Sequence, residues 1–150
     1  MDIIRRKTDY GLRALVSLAR AGRSVRAEEL AASEHVPVPF LHKALKDLGA
    51  VGIVEGQRGP SGGFSLARPA NEITVLDAVE AMQGPVTISR CLIGDNGCDR
   101  RRTCRLRRTW QKAQESMVSF LRDLTLEDLV RSLGPAPRAR RKRAGAGRKG

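Results

Sequence analysis

All three cysteines of this 150-residue chain lie within one short stretch, at Cys91, Cys98 and Cys104. An odd number of cysteines in one loop argues against a disulfide framework, which pairs its cysteines and belongs to oxidising compartments. Three closely spaced thiolates are typical of ligands to a single metal centre. One disulfide with a spare thiol, or three inert loop cysteines, would account for the same residues without a metal. We favour the metal site.

The spacing of the cysteines, C-x6-C-x5-C, bears on which metal they would bind. Structural zinc sites usually bring cysteines in closer pairs and complete four protein ligands, and neither His35 nor His42 lies in this stretch. Thiolates also hold iron–sulfur clusters, which usually take four protein ligands. With three cysteines, the fourth ligand would be an aspartate, a glutamate, water or a residue of another subunit. Iron held by one weak oxygen ligand is exchangeable, which suits sensing better than electron transfer.

The length and composition predict one domain, or a small domain with an attached helical element. Hydrophobic residues make up 41% of the chain, which supports a folded core. No run of about 18 apolar residues is present that would cross a membrane. The N-terminal stretch carries charges throughout and lacks the features of a secretory leader. We therefore expect a cytoplasmic protein without a membrane partner.

The chain is strongly basic, with a formal net charge of +12. Seven of these charges lie in a C-terminal tail without acidic residues, and the rest of the chain carries +5. The tail residues are Arg138, Arg140, Arg141, Lys142, Arg143, Arg148 and Lys149. A polyanionic partner is implied, and nucleic acid is the usual one. The alternative is a basic surface that only aids solubility.

The N-terminal half has the pattern of a helix-turn-helix unit. A first helix is predicted over residues 8–21, with Thr8 or Asp9 as its N-cap and with Gly22 and the residues after it as its stop. Two short helices follow over about 27–33 and 38–49. The side chains expected to face the core are Leu12, Leu15, Val16 and Ala19 of the first helix, Leu30 and Ala31 of the second, and Leu41, Leu45 and Leu48 of the third.

Two short strands are predicted next, Gly52–Glu55 and Gly63–Leu66, joined by a glycine-rich turn that carries Arg58. A helix-turn-helix followed by a hairpin is the plan of a winged helix, whose wing usually lies along the DNA backbone or minor groove. An isolated hairpin with one arginine would more often be only a solvated turn. The residues predicted to contact double-stranded DNA are Pro39, His42, Lys43, Lys46, Arg58, Gly59 and Ser61.

The C-terminal half is predicted to be helical. Residues 74–83 have a capping box at Thr74 and Asp77. A helix capped by Thr125 is expected near the end of the fold, which Gly134-Pro135 is predicted to stop. Between them, apolar residues repeat at the spacing of a coiled-coil seam: Leu106, Trp110, Ala113, Met117, Phe120 and Leu124. This seam predicts a dimerisation helix, because a complete winged-helix unit leaves it little else to pack on; a core helix of a monomer is the alternative. A twofold dimer would also fit two half-sites on DNA.

These patterns divide the chain into four predicted regions. A winged-helix domain spans residues 1–83, and a cysteine segment spans 84–104. A dimerisation helix and a C-terminal helix occupy 105–133, and a disordered basic tail occupies 134–150. The fold class predicted is mainly α with a small β-hairpin wing: a winged helix-turn-helix with a long dimerisation helix.

Five stretches together resemble the IscR/NsrR family of winged-helix transcription regulators: TDYGLRAL, VPVPFLHKALKDLGAVGIV, RGPSGGFSLAR, ITVLDAVEA and the three-cysteine loop. The resemblance covers roughly residues 1–130. It implies a homodimer that binds palindromic promoter DNA and an iron–sulfur cluster on Cys91, Cys98 and Cys104. It also implies that the helix from about Thr103 forms the dimer.

The fourth ligand differs between branches of that family. IscR-like members have a histidine three residues after the last cysteine, where this chain has Arg107. Some NsrR-like members use an aspartate at the start of the first helix, supplied by the other subunit, and Asp9 is the matching residue. The first gap between cysteines is one residue longer than the commoner spacing. As a residue of a helix N-terminus, Asp9 also has a purely structural explanation.

The sequence thus predicts a DNA-binding regulator, a repressor by resemblance, that is controlled by a [4Fe-4S] or [2Fe-2S] cluster and responds to nitric oxide. A sensor of redox state or of cluster status would use the same residues. From other classes, a small electron carrier and a zinc-stabilised nucleic-acid adaptor remain as alternatives. No enzymatic activity is expected, because no nucleophile–base pair is evident.

Overall fold

The computed structural model describes residues 2–94 and 98–132. Its helices are α1 (Arg6–Ala21), α2 (Ala27–Glu34), α3 (Val38–Ala50), α4 (Val75–Gln83), α5 (Arg105–Asp123) and α6 (Leu126–Ser132). Two strands, β1 (Val54–Gln57) and β2 (Gly63–Leu66), lie between α3 and α4. Two 3-10 turns, Ala70–Glu72 and Arg90–Leu92, precede and follow α4. The predicted basic tail, the Gly134-Pro135 stop and the centre of the cysteine segment at 95–97 lie outside the described residues.

Helix α1 lies at the centre of the first core and packs against α2, α3, α4 and α6. The side chains buried from α1 are Thr8, Gly11, Ala14, Leu15 and Leu18. Of the four residues of α1 that were predicted to face the core, only Leu15 is fully buried. The buried face of α1 is therefore rotated about the helix axis relative to the predicted one. The reason is that several helices contact α1, and small residues allow their close approach: a Cβ at Gly11 would collide with Met82.

The start and end of α1 test the capping predictions. The helix begins after Arg5, which makes no side-chain capping bond, and so neither Thr8 nor Asp9 is the N-cap. Both residues lie inside the first turn, where Asp9 is an acidic residue near the positive end of the helix dipole. The predicted stop at Gly22 is confirmed, because Gly22 adopts a left-handed φ of 60° that favours glycine.

The helix-turn-helix is confirmed by α2 and α3. Helix α2 ends at Glu34, and its C-cap His35 adopts the left-handed conformation with φ 53°. Helix α3 begins after Pro37. The predicted core residues of both helices are buried, including Leu41 at 1% and Leu48 at 0% exposure. Proline is tolerated in the first turn of α3 because backbone N–H groups there have no helical partner.

The hairpin that follows forms the wing, and its strands are antiparallel with Val54 paired to Leu66 and Gln57 to Gly63. Strand β1 begins two residues later than predicted. Ile53 is not yet in the strand because its N–H donates to Leu48 O of α3 at 3.0 Å. Val25 adds an isolated bridge to Phe64, with N–H···O bonds of 2.9 and 2.8 Å, and this attaches the wing to the segment before α2.

A second apolar cluster joins α4 and α5. Its buried members are Val75, Leu76, Val79 and Val86, and the α5 side chains packed on them are Met117, Val118 and Leu121. The capping box of Thr74 and Asp77 is confirmed. The expectation that α5 would have little to pack on within its own chain is wrong. One face of α5 packs on α4, and this face includes Val118 and Leu121, which lie outside the predicted seam.

Helix α6 returns the chain to the first core. Leu126 is fully buried there, and α6 packs against α1. Thr125 and Asp128 form a reciprocal cap, in which Asp128 N–H donates to Thr125 Oγ1 at 3.2 Å and Thr125 N–H donates to Asp128 Oδ2 at 3.0 Å. The predicted Thr125 cap is therefore confirmed. Across the part of the chain that the structure describes, every helix is too short or too polar to span a bilayer.

Candidate DNA-binding surface and cysteine segment

One face of α3 is open to solvent and carries polar and basic side chains. Pro39, His42, Lys43 and Lys46, all predicted to contact DNA, are exposed there. Their exposure follows from helical periodicity, because the leucines of α3 occupy the opposite face. Phe40 is also on this surface and is 50% exposed. The sequence reasoning missed Phe40, although its position between Pro39 and Leu41 already places it outside the leucine face.

The tip of the wing is shaped by glycine and fixed by one side chain. Arg58, Gly59 and Ser61 are exposed, and Gly59 has φ 113°. Arg26, immediately before α2, donates from Nη2 to Pro60 O at 2.6 Å. The wing tip is therefore linked to the helix-turn-helix. This role of Arg26 could not be predicted from sequence, because Arg26 and Pro60 lie far apart in the chain and no periodic pattern relates them.

Aromatic contacts connect α3 to the elements on either side of it. The rings of His42 and Phe64 meet edge to face with centroids 6.2 Å apart, which joins α3 to β2 of the wing. The rings of Tyr10 and Phe40 meet in the same way at 6.2 Å, which joins α3 to α1. The exposed face of α3 is thus held in place from both sides.

An ion pair between α1 and α3 adds a further link. Lys7 Nζ lies 2.6 Å from Asp47 Oδ2, and the two side chains are 29% and 34% exposed. Two residues further along the same turn, Asp9 pairs with Arg13 at 2.8 Å, with side chains 47% and 51% exposed. Asp9, the predicted fourth ligand, therefore lies in the turn of α1 that also contacts α3.

The three cysteines are free thiols, and they lie between α4 and α5. Cys91 occupies the 3-10 turn, where Ser89 Oγ is 3.1 Å from its sulfur. Cys104 is the residue before α5, and its N–H donates to Arg100 O at 2.8 Å. Cys91 and Cys104 are half-buried and Cys98 is exposed.

Side chains of α5 hold the cysteine segment in place. Gln114 donates from Nε2 to Val86 O at 2.6 Å and accepts from Ile88 N–H at 3.0 Å, so one amide fixes the chain just before Cys91. Arg107 Nε donates to Cys91 O at 3.2 Å. The resemblance noted from sequence implied a histidine at this position in IscR-like members, whereas Arg107 bonds to backbone here. None of the three long-range bonds was predictable from spacing.

The surroundings of Cys98 are cationic. A cavity of about 580 Å³ is lined by Cys98, Asp99 and Gln111 together with Arg101, Arg102, Arg107 and Arg108. Thiolates and the clusters they hold are anionic, and nearby guanidinium groups stabilise negative charge. The electrostatics of this segment therefore suit an anionic metal–thiolate centre.

Three free thiols are the donor type that iron–sulfur clusters require, so the residues fit such a group in kind. Whether these thiols lie close enough together to bind one group is a separate question. Within residues 2–94 and 98–132, no group of three or more His, Cys, Asp and Glu side chains is close enough together to hold a metal ion. The described part of one chain thus supplies the donors without gathering them.

The predicted seam of α5 divides into two groups. Met117 and Leu124 are half-buried and pack on the second cluster. The others are exposed, with Leu106 at 65%, Trp110 at 43% and Phe120 at 64%. Ala113 is exposed as well. Large apolar side chains exposed along one helix mark an interaction surface.

The geometry defines a winged-helix fold, and comparison with known proteins agrees. Residues 4–132 match the Rrf2 family, described as "Iron-dependent Transcriptional regulator". The chain is 39% identical over 127 residues to the HTH-type transcriptional repressor NsrR of Streptomyces coelicolor, covering 82% of this chain and 84% of that protein. It is 31% identical over 144 residues to a putative rrf2-like regulator of Rhodobacter capsulatus, covering 89% and 96%.

Solved structures show the same fold. CymR of B. subtilis, titled the global cysteine regulator, superposes with a TM-score of 0.73 at 24% identity, covering 88% of this chain and 98% of CymR. IscR of T. potens superposes with a TM-score of 0.70 at 23% identity, covering 87% of each chain. The chain belongs to the Rrf2 family of helix-turn-helix transcription regulators. It is a DNA-binding protein of winged-helix type, and the family resemblance noted from sequence is confirmed.

Proposed function

We propose that this regulator is a dimeric repressor whose affinity for palindromic promoter DNA is controlled by an iron–sulfur cluster and lowered by nitric oxide. Cys91, Cys98 and Cys104 would hold the cluster through their thiolates, and Asp9 of the second copy would be the fourth ligand. A cluster bound there would supply iron that reacts with nitric oxide. The 39% identity to a repressor named NsrR supports this choice within the family.

The observation that carries the proposal is the position of the three free thiols. They lie between α4, which belongs to the winged-helix core, and α5. The exposed seam residues of α5, which are Leu106, Trp110, Ala113 and Phe120, form an exposed stripe that suits a second copy. Cys104 directly precedes α5, and Gln114 of α5 bonds the chain before Cys91. Ligation of the thiols would therefore act at the junction of the DNA-binding and dimer-forming parts.

The surrounding residues support this role by charge. The arginines near Cys98 would offset the negative charge of a cluster held by the cysteines, and Arg107 donates a hydrogen bond to the backbone of Cys91. To serve as a ligand, the Asp9 carboxylate has to exchange its exposed ion pair with Arg13. That exchange costs little because exposed pairs contribute at most about 1 kcal/mol.

The route from Asp9 to DNA is short. Asp9 and Lys7 share the first turn of α1, and Lys7 pairs with Asp47 of α3. A change in the position of Asp9 would move this turn and, through the ion pair, the helix that bears the predicted base contacts. This is a two-state element biased by a ligand, as a switch requires.

The test is to purify the full-length protein without oxygen, measure absorbance, iron and sulfide, and titrate it with operator DNA before and after nitric oxide. We expect a coloured protein that loses its visible absorbance and its DNA affinity together. Serine variants of Cys91, Cys98 and Cys104 should each lack the cluster, whereas Thr103→Ser, a neighbouring exposed hydroxyl, should keep it.

Three results would contradict the proposal in whole or in part. A colourless protein with stoichiometric zinc would favour the zinc-stabilised adaptor. A cluster that reacts with nitric oxide while DNA affinity stays constant would remove the control step. If oxidation or cluster loss abolishes binding but nitric oxide does not, the same residues sense redox or cluster status instead.

A further inference from the structure

The exposed face of α3 contains an apolar depression that the regulatory mechanism does not use. It has a volume of about 460 Å³ and is lined by Pro39, Phe40, His42, Lys43 and Lys46. Phe40 supplies the largest apolar side chain and is 50% exposed. A half-exposed phenylalanine on an otherwise basic helix face offers apolar surface that a partner could bury, and burying it would be favourable.

Phe40 is not required by the core of α3. The side chains that anchor this helix are Leu41, Leu45 and Leu48, each at most 1% exposed. The Phe40 ring meets the Tyr10 ring in a T-shaped arrangement with the ring centroids 6.2 Å apart. Tyr10 therefore sets the orientation of the ring and leaves part of its surface free.

The charged side chains at the rim of the depression indicate which kind of partner would fill it. Lys43 and Lys46 lie beside Phe40, and cationic side chains at this position attract the DNA backbone. In a winged-helix protein the second helix of the helix-turn-helix enters the major groove. The apolar group displayed in that groove is the 5-methyl group of thymine, and phenylalanine is among the side chains that contact it.

We propose that Phe40, with Pro39 beside it, contacts a thymine methyl group in each half-site and selects thymine at that position. The inference rests on DNA binding by α3 and is independent of the cluster and of nitric oxide. In it Phe40 reads the base, Tyr10 is a positioning residue, and the lysines bind phosphate without selecting sequence.

The experiment starts from an operator selected from random DNA by the wild-type, full-length protein. Each thymine of one half-site is then replaced by deoxyuridine, which removes only the methyl group. We expect one position per half-site at which the wild-type Kd rises about fourfold, the effect of exposing one methyl-sized group, and about fifteenfold when both half-sites are changed.

The Phe40→Ala variant completes the cycle. It should bind the thymine and deoxyuridine operators equally, within about twofold, because the two changes remove the same contact. Tyr10→Phe keeps the ring contact and should retain the thymine preference. Val51→Ala removes an apolar side chain of similar exposure, 54%, that lies outside the depression, and it should bind both operators as wild type does.

The possible outcomes separate this inference from the proposed function. If wild type binds the operator but no deoxyuridine position changes its Kd, the inference is wrong, and the DNA-binding role stands. An equal deoxyuridine effect in wild type and Phe40→Ala would assign the methyl contact to another residue. The deoxyuridine scan with the wild-type protein alone decides whether a thymine methyl group is contacted. The test therefore does not depend on how well Phe40→Ala folds.

Discussion

In the winged-helix core, the leucines of α3 are removed from solvent almost completely, whereas no cysteine of the segment between α4 and α5 is fully buried. The core is held by side chains that interlock within one chain. The cysteine segment is held by hydrogen bonds to its backbone from Gln114 and Arg107. A single chain therefore completes its DNA-binding half, while the proposed sensing half depends on groups supplied from outside. This contrast predicts opposite responses to substitution in the two regions.

The largest difference in folding stability should appear between Leu45→Ala and Cys98→Ser. Leu45 is 1% exposed, and its truncation leaves a cavity that lowers the free energy of unfolding by about 2–5 kcal/mol. Cys98 is exposed, so Cys98→Ser in the cluster-free protein should change it by less than about 0.5 kcal/mol. Urea unfolding followed by circular dichroism measures both. A large loss from Cys98→Ser would mean that the segment contributes to the core after all.

The next largest effect concerns association of two copies. Trp110→Glu places a charge in the exposed stripe of α5 and should raise the dimer dissociation constant about thirtyfold or more, since a central aromatic residue typically contributes at least about 2 kcal/mol. Sedimentation equilibrium measures it. Glu115→Gln, on the same helix but off the stripe, is the control and should leave the constant unchanged. A protein that is monomeric before any substitution would show that the stripe serves another partner.

The two regions also differ in how far sequence reasoning could describe them. Local signals predicted the α3 leucines, the stop at Gly22 and the capping box at Thr74, because each depends on neighbours within a few residues. The buried face of α1 was misjudged because four other helices share it. Phe40 was not predicted because the sequence signal for DNA contact is carried by polar and basic donors. Arg26 and Gln114 were not predicted because their bonds join distant segments. The ligand set of the cysteines remains a prediction, since the ligands proposed for it belong to two copies of the chain.

A smaller effect is expected at the ion pair between α1 and α3, on the proposed route from Asp9 to DNA. Lys7→Ala breaks the part-buried ion pair with Asp47 and should lower the free energy of unfolding by about 0.5–1 kcal/mol. Arg13→Ala breaks the more exposed pair with Asp9 and should cost less. If the pair carries the proposed coupling, Lys7→Ala should also reduce the difference in DNA affinity between the cluster-bound and cluster-free protein. Unchanged coupling would place the route elsewhere.

The smallest effect is a pH dependence at the far end of the fold, where α6 rejoins the core. The hydroxyl of Thr125 donates to Asp128 Oδ2 at 2.6 Å, and this bond, with the Thr125 N–H and the charge of Arg131, holds the pKa of Asp128 below its ordinary value. Because the folded-state pKa is the lower one, the stabilisation is complete above the unfolded-state pKa. It is lost as the pH falls through the folded-state value.

Asp128→Asn should therefore lower the melting temperature slightly at pH 7, and the difference from wild type should shrink in acid below about pH 4. Glu127→Gln, which alters the neighbouring exposed pair with Arg131, is the matched control and should show a smaller difference at pH 7. Thermal melts from pH 7 to pH 3 measure both. A difference that grows as the pH falls would reverse the sign of the argument, and the Thr125 cap would then stabilise the protonated carboxyl.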